Sequence, residues 1–203
     1  MNSIAISIGW NCDPAIIGVE KGWRASRDDG YRTCPFDLML SNYAGLIQCL
    51  RDDFACFTDR QYLKIINISE DALCNAGERL IFNTKYRFIF NHESPDQAGL
   101  YEKEEWEGGK MHFIENGFER FIERYERRIQ NFRDYLSSGA HILFLTNQPN
   151  DDKSELERCL HEVYPDLKFT IKNVSKFRRS DPRIFLEIQR QMRGTAGGQR
   201  CPP

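Results

Sequence analysis

A chain of 203 residues, 40% hydrophobic and 29% charged, has enough apolar side chain for one sizeable core. No apolar run in it approaches the length of a membrane span. The net charge of −2 hides an asymmetry: residues 166–203 carry nine basic against three acidic side chains, and the rest 19 against 27. The basic cluster Lys176-Phe177-Arg178-Arg179 could meet an anion, but no nucleic-acid motif accompanies it, which favours a solvated helix start.

The seven cysteines (12, 34, 49, 56, 74, 159, 201) form no dense or paired framework, and no basic segment leading into an apolar core opens the chain. The expectation is mostly reduced thiols in a cytoplasmic protein. No C-x-x-C pair occurs and the four histidines lack zinc-site spacing, so no structural metal is expected.

In chain order, Ile4, Ile6 and Ile8 alternate with small residues and predict a buried strand over 3–9, ended by Gly9. Asp13-Pro14 opens a short helix over 13–22. Residues 23–41 are irregular, with a turn at Asp28-Asp29-Gly30. Tyr43, Leu46, Ile47 and Leu50 predict a helix over 42–53, and Leu63 to Ile66 a short strand. The runs 80–82 and 86–90 flank Asn83-Thr84-Lys85 as a β-hairpin would.

Residues 93–112, polar and rich in Glu, read as a long loop. A long helix follows, with Ile114, Phe118, Phe121, Ile122, Tyr125, Ile129, Phe132 and Leu136 on one core-facing stripe and Glu and Arg opposite. His141 to Thr146 is the clearest buried strand; helices over 152–163 and 182–193 enclose a strand at 167–173. This succession predicts an α/β fold: one domain over 1–193 with a mainly parallel central sheet flanked by helices and room for one β-hairpin. The alternative is a papain-like α+β arrangement. The strands at 3–9 and 141–146 should lie parallel and near one another, and residues 194–203 should form a disordered tail.

Chemistry concentrates where strands end. Cys12 sits at a strand-to-helix corner, where the unsatisfied N–H groups of a helix start favour a thiolate. Asn91 and His92 follow the run ending at Phe90, and Asn147 follows Thr146. Ligand sites of open α/β sheets gather beyond such carboxyl ends. A thiol nucleophile needs an imidazole base, and the imidazole needs an orienting group. Cys12, His92 and Asn147 supply those types. Asp37 is a second candidate orienter, of His92 or of Arg24. Asn11, Arg24 and Asn91 are the candidate substrate contacts, and Arg24 could instead pair with Asp37. No Gly-x-Ser-x-Gly, phosphate loop or dinucleotide fingerprint occurs, and the thiol chemistry requires no cofactor.

Taken together, Ser7-Ile8-Gly9-x-x-Cys12-x-x-Ala15, Arg24, Pro35-Phe36-Asp37 and Phe90-x-His92 resemble a family of bacterial and viral proteins described as putative papain-like cysteine peptidases. Tyr125-x-Arg127-Arg128-Ile129 and Ile142-Leu143-Phe144 extend the likeness, which covers roughly residues 3–147. The resemblance implies Cys12 as nucleophile and His92 as base. This chain has Leu38 where the family often has Trp after Pro-Phe-Asp, and Glu93 where it often has Asp after the His.

The expected function is a cysteine-dependent hydrolase or acyltransferase acting on a peptide or small acyl substrate, with backbone N–H groups at the first helix start holding the oxyanion. Two alternatives are a sugar- or nucleotide-binding transferase using the same strand ends, and a non-catalytic anion-binding module built on the basic C-terminal third.

Overall fold

The computed structural model describes residues 3–72, 76–96, 106, 108–148 and 153–177. The elements predicted beyond these, the helix over 182–193 and the tail over 194–203, lie outside the described residues, as does most of the Glu-rich stretch before Trp106. In order the elements are β1 (Ser3–Ser7), α1 (Asp13–Glu20), α2 (Tyr43–Arg51), β2 (Leu63–Asn67), β3 (Arg79–Asn83), β4 (Phe88–Phe90), α3 (Glu115–Ser137), β5 (His141–Thr146), α4 (Lys153–Val163) and β6 (Phe169–Asn173).

Two three-stranded sheets carry the architecture. The first is parallel, in the order β1–β5–β6, with Ser3 opposite His141 and Ile142 opposite Phe169. The parallel pairing of β1 with β5 is the one expected from their apolar runs. Both faces of this sheet are covered, as parallel sheets require. Ile6, Ile8, Ile142 and Phe144 face the main core, while Ala5 and Leu145 pack on the other side with Ile17 of α1 and Val174.

The second sheet is antiparallel, in the order β2–β3–β4. The predicted hairpin is its β3–β4 half. Its second strand is shorter than expected, because Tyr86 and Arg87 form the turn: Asn83 Oδ1 accepts from the N–H groups of Lys85 and Tyr86, and Arg87 has a left-handed φ of 61°.

One aromatic cluster joins the two sheets to the helices. Phe57 meets Phe88, Phe90 and Tyr125 with ring centroids 5.4–5.8 Å apart, and Phe36 touches Phe54, Phe88 and Phe132. Such contacts contribute about 0.5–1.5 kcal/mol each beyond burial.

The stripe on α3 packs as its spacing predicts, with Phe121, Tyr125, Ile129 and Phe132 buried. Two details differ. Asn116, Gly117 and Phe118 have left-handed φ angles, so the first turn is not helical. Arg128, expected on the polar face, is buried, because three residues past Tyr125 lies on the same side of a helix. Among the described cysteines 12, 34, 49 and 159 are free, as expected, whereas Cys56 is disulfide-bonded. No described helix is long and apolar enough to cross a membrane.

Candidate active site

Cys12 is the N-cap residue of α1 and is partly exposed. Its side chain makes no cap hydrogen bond, and its carbonyl accepts from Ile16 N–H at 3.2 Å. Pro14 stands in the first turn, where no N–H is needed. The thiol is thus carried at the positive end of a helix.

The turn that carries it, Gly9 to Asp13, is held from β5 and from the segment before α2. Asn147, just past β5, accepts the Trp10 N–H on Oδ1 at 3.0 Å. Its Nδ2 therefore carries the donors, one of which reaches Asn11 Oδ1 at 2.8 Å. Asn11 Oδ1 also accepts Asp13 N–H at 3.1 Å. Backbone donors at both ends of this relay fix the orientation of both amides. The Asn11 Nδ2 group is left as a donor one residue before the thiol. Ser41 holds the other side: its hydroxyl donates to Gly9 O at 2.7 Å and its N–H to Trp10 O at 2.8 Å. Gln148 Nε2 donates to Ser41 Oγ at 3.2 Å. A Cβ on Gly9 would stand 2.4 Å from both Asn147 Oδ1 and Pro14 Cγ, so only glycine fits.

His92 lies on a single 3₁₀ turn, Asn91–Glu93, that follows β4. That strand belongs to the antiparallel sheet, whereas Cys12 and Asn147 lie beyond the carboxyl ends of the parallel one. The three residues therefore do not share one sheet edge, as their positions after strands suggested. A narrow seam joins the segments that lead to Cys12 and His92. Leu40 and Ile89 exchange both backbone hydrogen bonds, at 2.8 and 2.9 Å, and the next residue, Ser41, bonds to Trp10. Trp10, Leu40 and Ile89 also pack in one apolar cluster. Cys12 departs from this seam two residues after Trp10, and His92 three residues after Ile89.

Glu93 anchors the His92 turn. Its fully buried carboxylate takes Arg128 Nη1 at 2.9 Å, Arg124 Nε at 3.0 Å and the Tyr125 hydroxyl at 3.0 Å, all from α3. Burial first, and the Glu93 charge second, hold the Tyr125 phenol well above its ordinary range. Next to His92, Asn91 Oδ1 is buried without a hydrogen-bond partner.

The other candidates are engaged elsewhere. Asp37 Oδ1 pairs with Arg24 Nη1 at 2.6 Å, and its Oδ2 accepts the Cys34 N–H at 2.7 Å. Arg24 also lies over the Tyr31 ring, 4.1 Å from its centroid. Of the two roles foreseen for Asp37, the structure shows the one toward Arg24. The hydrogen bonds of Asn147 go to the Cys12 turn, and neither Asn147 nor Asp37 bonds to His92. Ser41, Gln148 and the Glu93 cluster escaped the sequence reading. Only the Tyr125-x-Arg127-Arg128 motif hinted at the last.

The family described as putative papain-like cysteine peptidase (DUF1796) matches residues 3–178. The chain belongs to that family. The match takes in the Cys12 turn, the Arg24–Asp37 pair, the His92 turn and all of α3. The parallel sheet beside an antiparallel one is the expected α/β architecture and is also consistent with the papain-like α+β alternative. No match was found among curated proteins or among solved structures.

Proposed function

We propose that this chain is a cysteine-dependent hydrolase or acyltransferase acting on a peptide or small acyl substrate. The observation that carries the reading is the setting of Cys12: a partly exposed thiol at the N-cap of a helix, on a turn held by Asn147 and Ser41. Family membership supports it. Cys12 Sγ attacks the carbonyl carbon, and His92 takes the thiol proton. The carbonyl electron pair moves to oxygen, where the N–H groups at the α1 start and Asn11 Nδ2 stabilise it. Collapse expels the leaving group, to which His92 returns the proton, and a water or a second acceptor then takes the acyl group from sulfur. Asn147 is a positioning residue that acts through Asn11 and Trp10. Asn91 contributes its free Oδ1 to substrate, and the Arg24–Asp37 pair frames the loop behind the site. None of these steps needs a cofactor.

Limited iodoacetamide labelling with mass-spectrometric mapping tests the reading. Cys12 should label first near neutral pH. Burial pushes the thiols of Cys34, Cys49 and Cys159 up and keeps them slow. His92→Ala should slow Cys12 labelling about tenfold or more while the fold stays intact. Labelling of Cys12 no faster than that of Cys159, or unchanged by His92→Ala, overturns the thiol–imidazole pair.

A further inference from the structure

His92 and Glu93 are neighbours on one 3₁₀ turn with opposite surroundings: Glu93 is fully buried, and His92 is partly exposed. In such a turn successive side chains leave the axis about 120° apart, so holding one inward sets the direction of the next. We propose that Glu93 is the positioning residue for His92, holding the imidazole toward the Cys12 turn through the backbone the two residues share. The proposal rests on the thiol–imidazole reading of the site and names the group that makes the imidazole effective there.

Three observations carry it. First, the turn is pinned on both sides of His92. After it, Ser94 Oγ donates to Phe90 O at 2.6 Å and accepts the Ile81 N–H at 2.8 Å, which ties the turn back to β4 and β3. Before it, Ile89 is bonded to Leu40 in both directions. Second, both oxygens of Glu93 are engaged, Oε1 by Arg128 and Arg124 and Oε2 by the Tyr125 hydroxyl, so the plane of the carboxylate is set. A buried ion pair adds little stability over a well-packed apolar contact, so what three donors on one carboxylate supply is direction. Third, the donors are themselves held. The Arg128 guanidinium lies 4.7 Å from the Tyr125 ring, and that of Arg124 lies 5.2 Å from the Phe113 ring. Burial works against the Arg128 charge; Glu93 is the largest attraction that keeps it, and Asp37, paired with Arg24, adds to it. The Pro35-Phe36-Asp37 and Tyr125-x-Arg127-Arg128 motifs thus act, through Arg128, on the turn that follows Phe90.

A double-mutant cycle read by iodoacetamide labelling of Cys12 tests it, with circular dichroism as the check on folding. Glu93→Gln keeps the shape of the side chain and removes its charge. It should slow Cys12 labelling near neutral pH about threefold to tenfold. It should also raise the pH of half-maximal rate, because an imidazolium that no longer faces the thiol stops favouring the thiolate. In a His92→Ala background the same change should leave the rate where it is, since the residue it acts through is gone. Tyr125→Phe removes only the hydroxyl donor and leaves both ion pairs; it should give the same pattern with a smaller loss, and it carries the test if Glu93→Gln does not fold. Equal slowing in both backgrounds, or no slowing in the folded variant, overturns the role of Glu93 and leaves the thiol–imidazole pair standing. A His92→Ala rate equal to that of the unaltered chain overturns that pair, and the positioning role with it.

Discussion

Gly9 shows how little freedom the Cys12 turn has. Its missing side chain makes room for Asn147 Oδ1 on one side and the Pro14 ring on the other, each 2.4 Å from where a Cβ would stand. Asn147 cannot give way without losing Trp10 N–H and, through Nδ2, the orientation of Asn11. Gly9→Ala should therefore destabilise the fold by about 1–3 kcal/mol, the usual range for overpacking. It should also slow alkylation of Cys12 more than that of Cys159, which lies on α4. A urea titration and a labelling time course read the two effects separately. An alanine at position 9 that leaves both unchanged would mean that the turn is not held as tightly as its hydrogen bonds indicate.

Among the elements, α3 does more than its apolar stripe requires. It buries Phe121, Tyr125, Ile129 and Phe132, and it also sends Arg124, Tyr125 and Arg128 to one carboxylate. That carboxylate belongs to Glu93, on the turn that bears His92. A buried ion pair adds little over an apolar replacement, but removing one partner leaves a charge in a dry environment. Glu93→Ala should thus cost about 3–5 kcal/mol, read as a fall in the urea midpoint. A double change, Glu93→Ala with Arg128→Met, should recover part of the loss because it removes the stranded charge as well. If the double variant is no more stable than the single one, the cluster is not a pair in the energetic sense.

Across the whole molecule, neutral buried thiols and phenols set the response to alkali. Burial is the first cause that raises Cys34, Cys49, Tyr31, Tyr86 and Tyr125 above their ordinary values. In the unfolded chain these groups ionise near about pH 8.5 for Cys and about pH 10 for Tyr. The folded chain then holds more protons than the unfolded one. Their contribution is fully present below the unfolded values and is lost as pH rises toward the folded ones. The unfolding midpoint should therefore fall steadily between about pH 8.5 and pH 11. Calorimetry across that range checks it; a midpoint flat to pH 11 would show that these groups are not protonated for the reason given.

The local elements were legible because each rests on near-neighbour periodicity. The alternation of Ile4, Ile6 and Ile8, the stripe on α3 and the apolar run of β5 each predict their element within a few residues, and two apolar strands followed by helices were enough to predict their parallel pairing. Cys12 at a helix start could likewise be read from Gly9 and Pro14. What no spacing contains is which sheet a strand joins. The β3–β4 hairpin was legible, but not that it belongs to a sheet separate from β1 and β5, tied to the Cys12 turn through Leu40 and Ser41 in a stretch with no regular pattern. Partner choice among polar groups was equally hidden. Asn147 meets Trp10 from 137 residues away, and Arg128 finds Glu93 from 35. Such pairs form because a buried donor or charge must be satisfied by whatever the packed chain brings beside it, and only tertiary structure decides what that is.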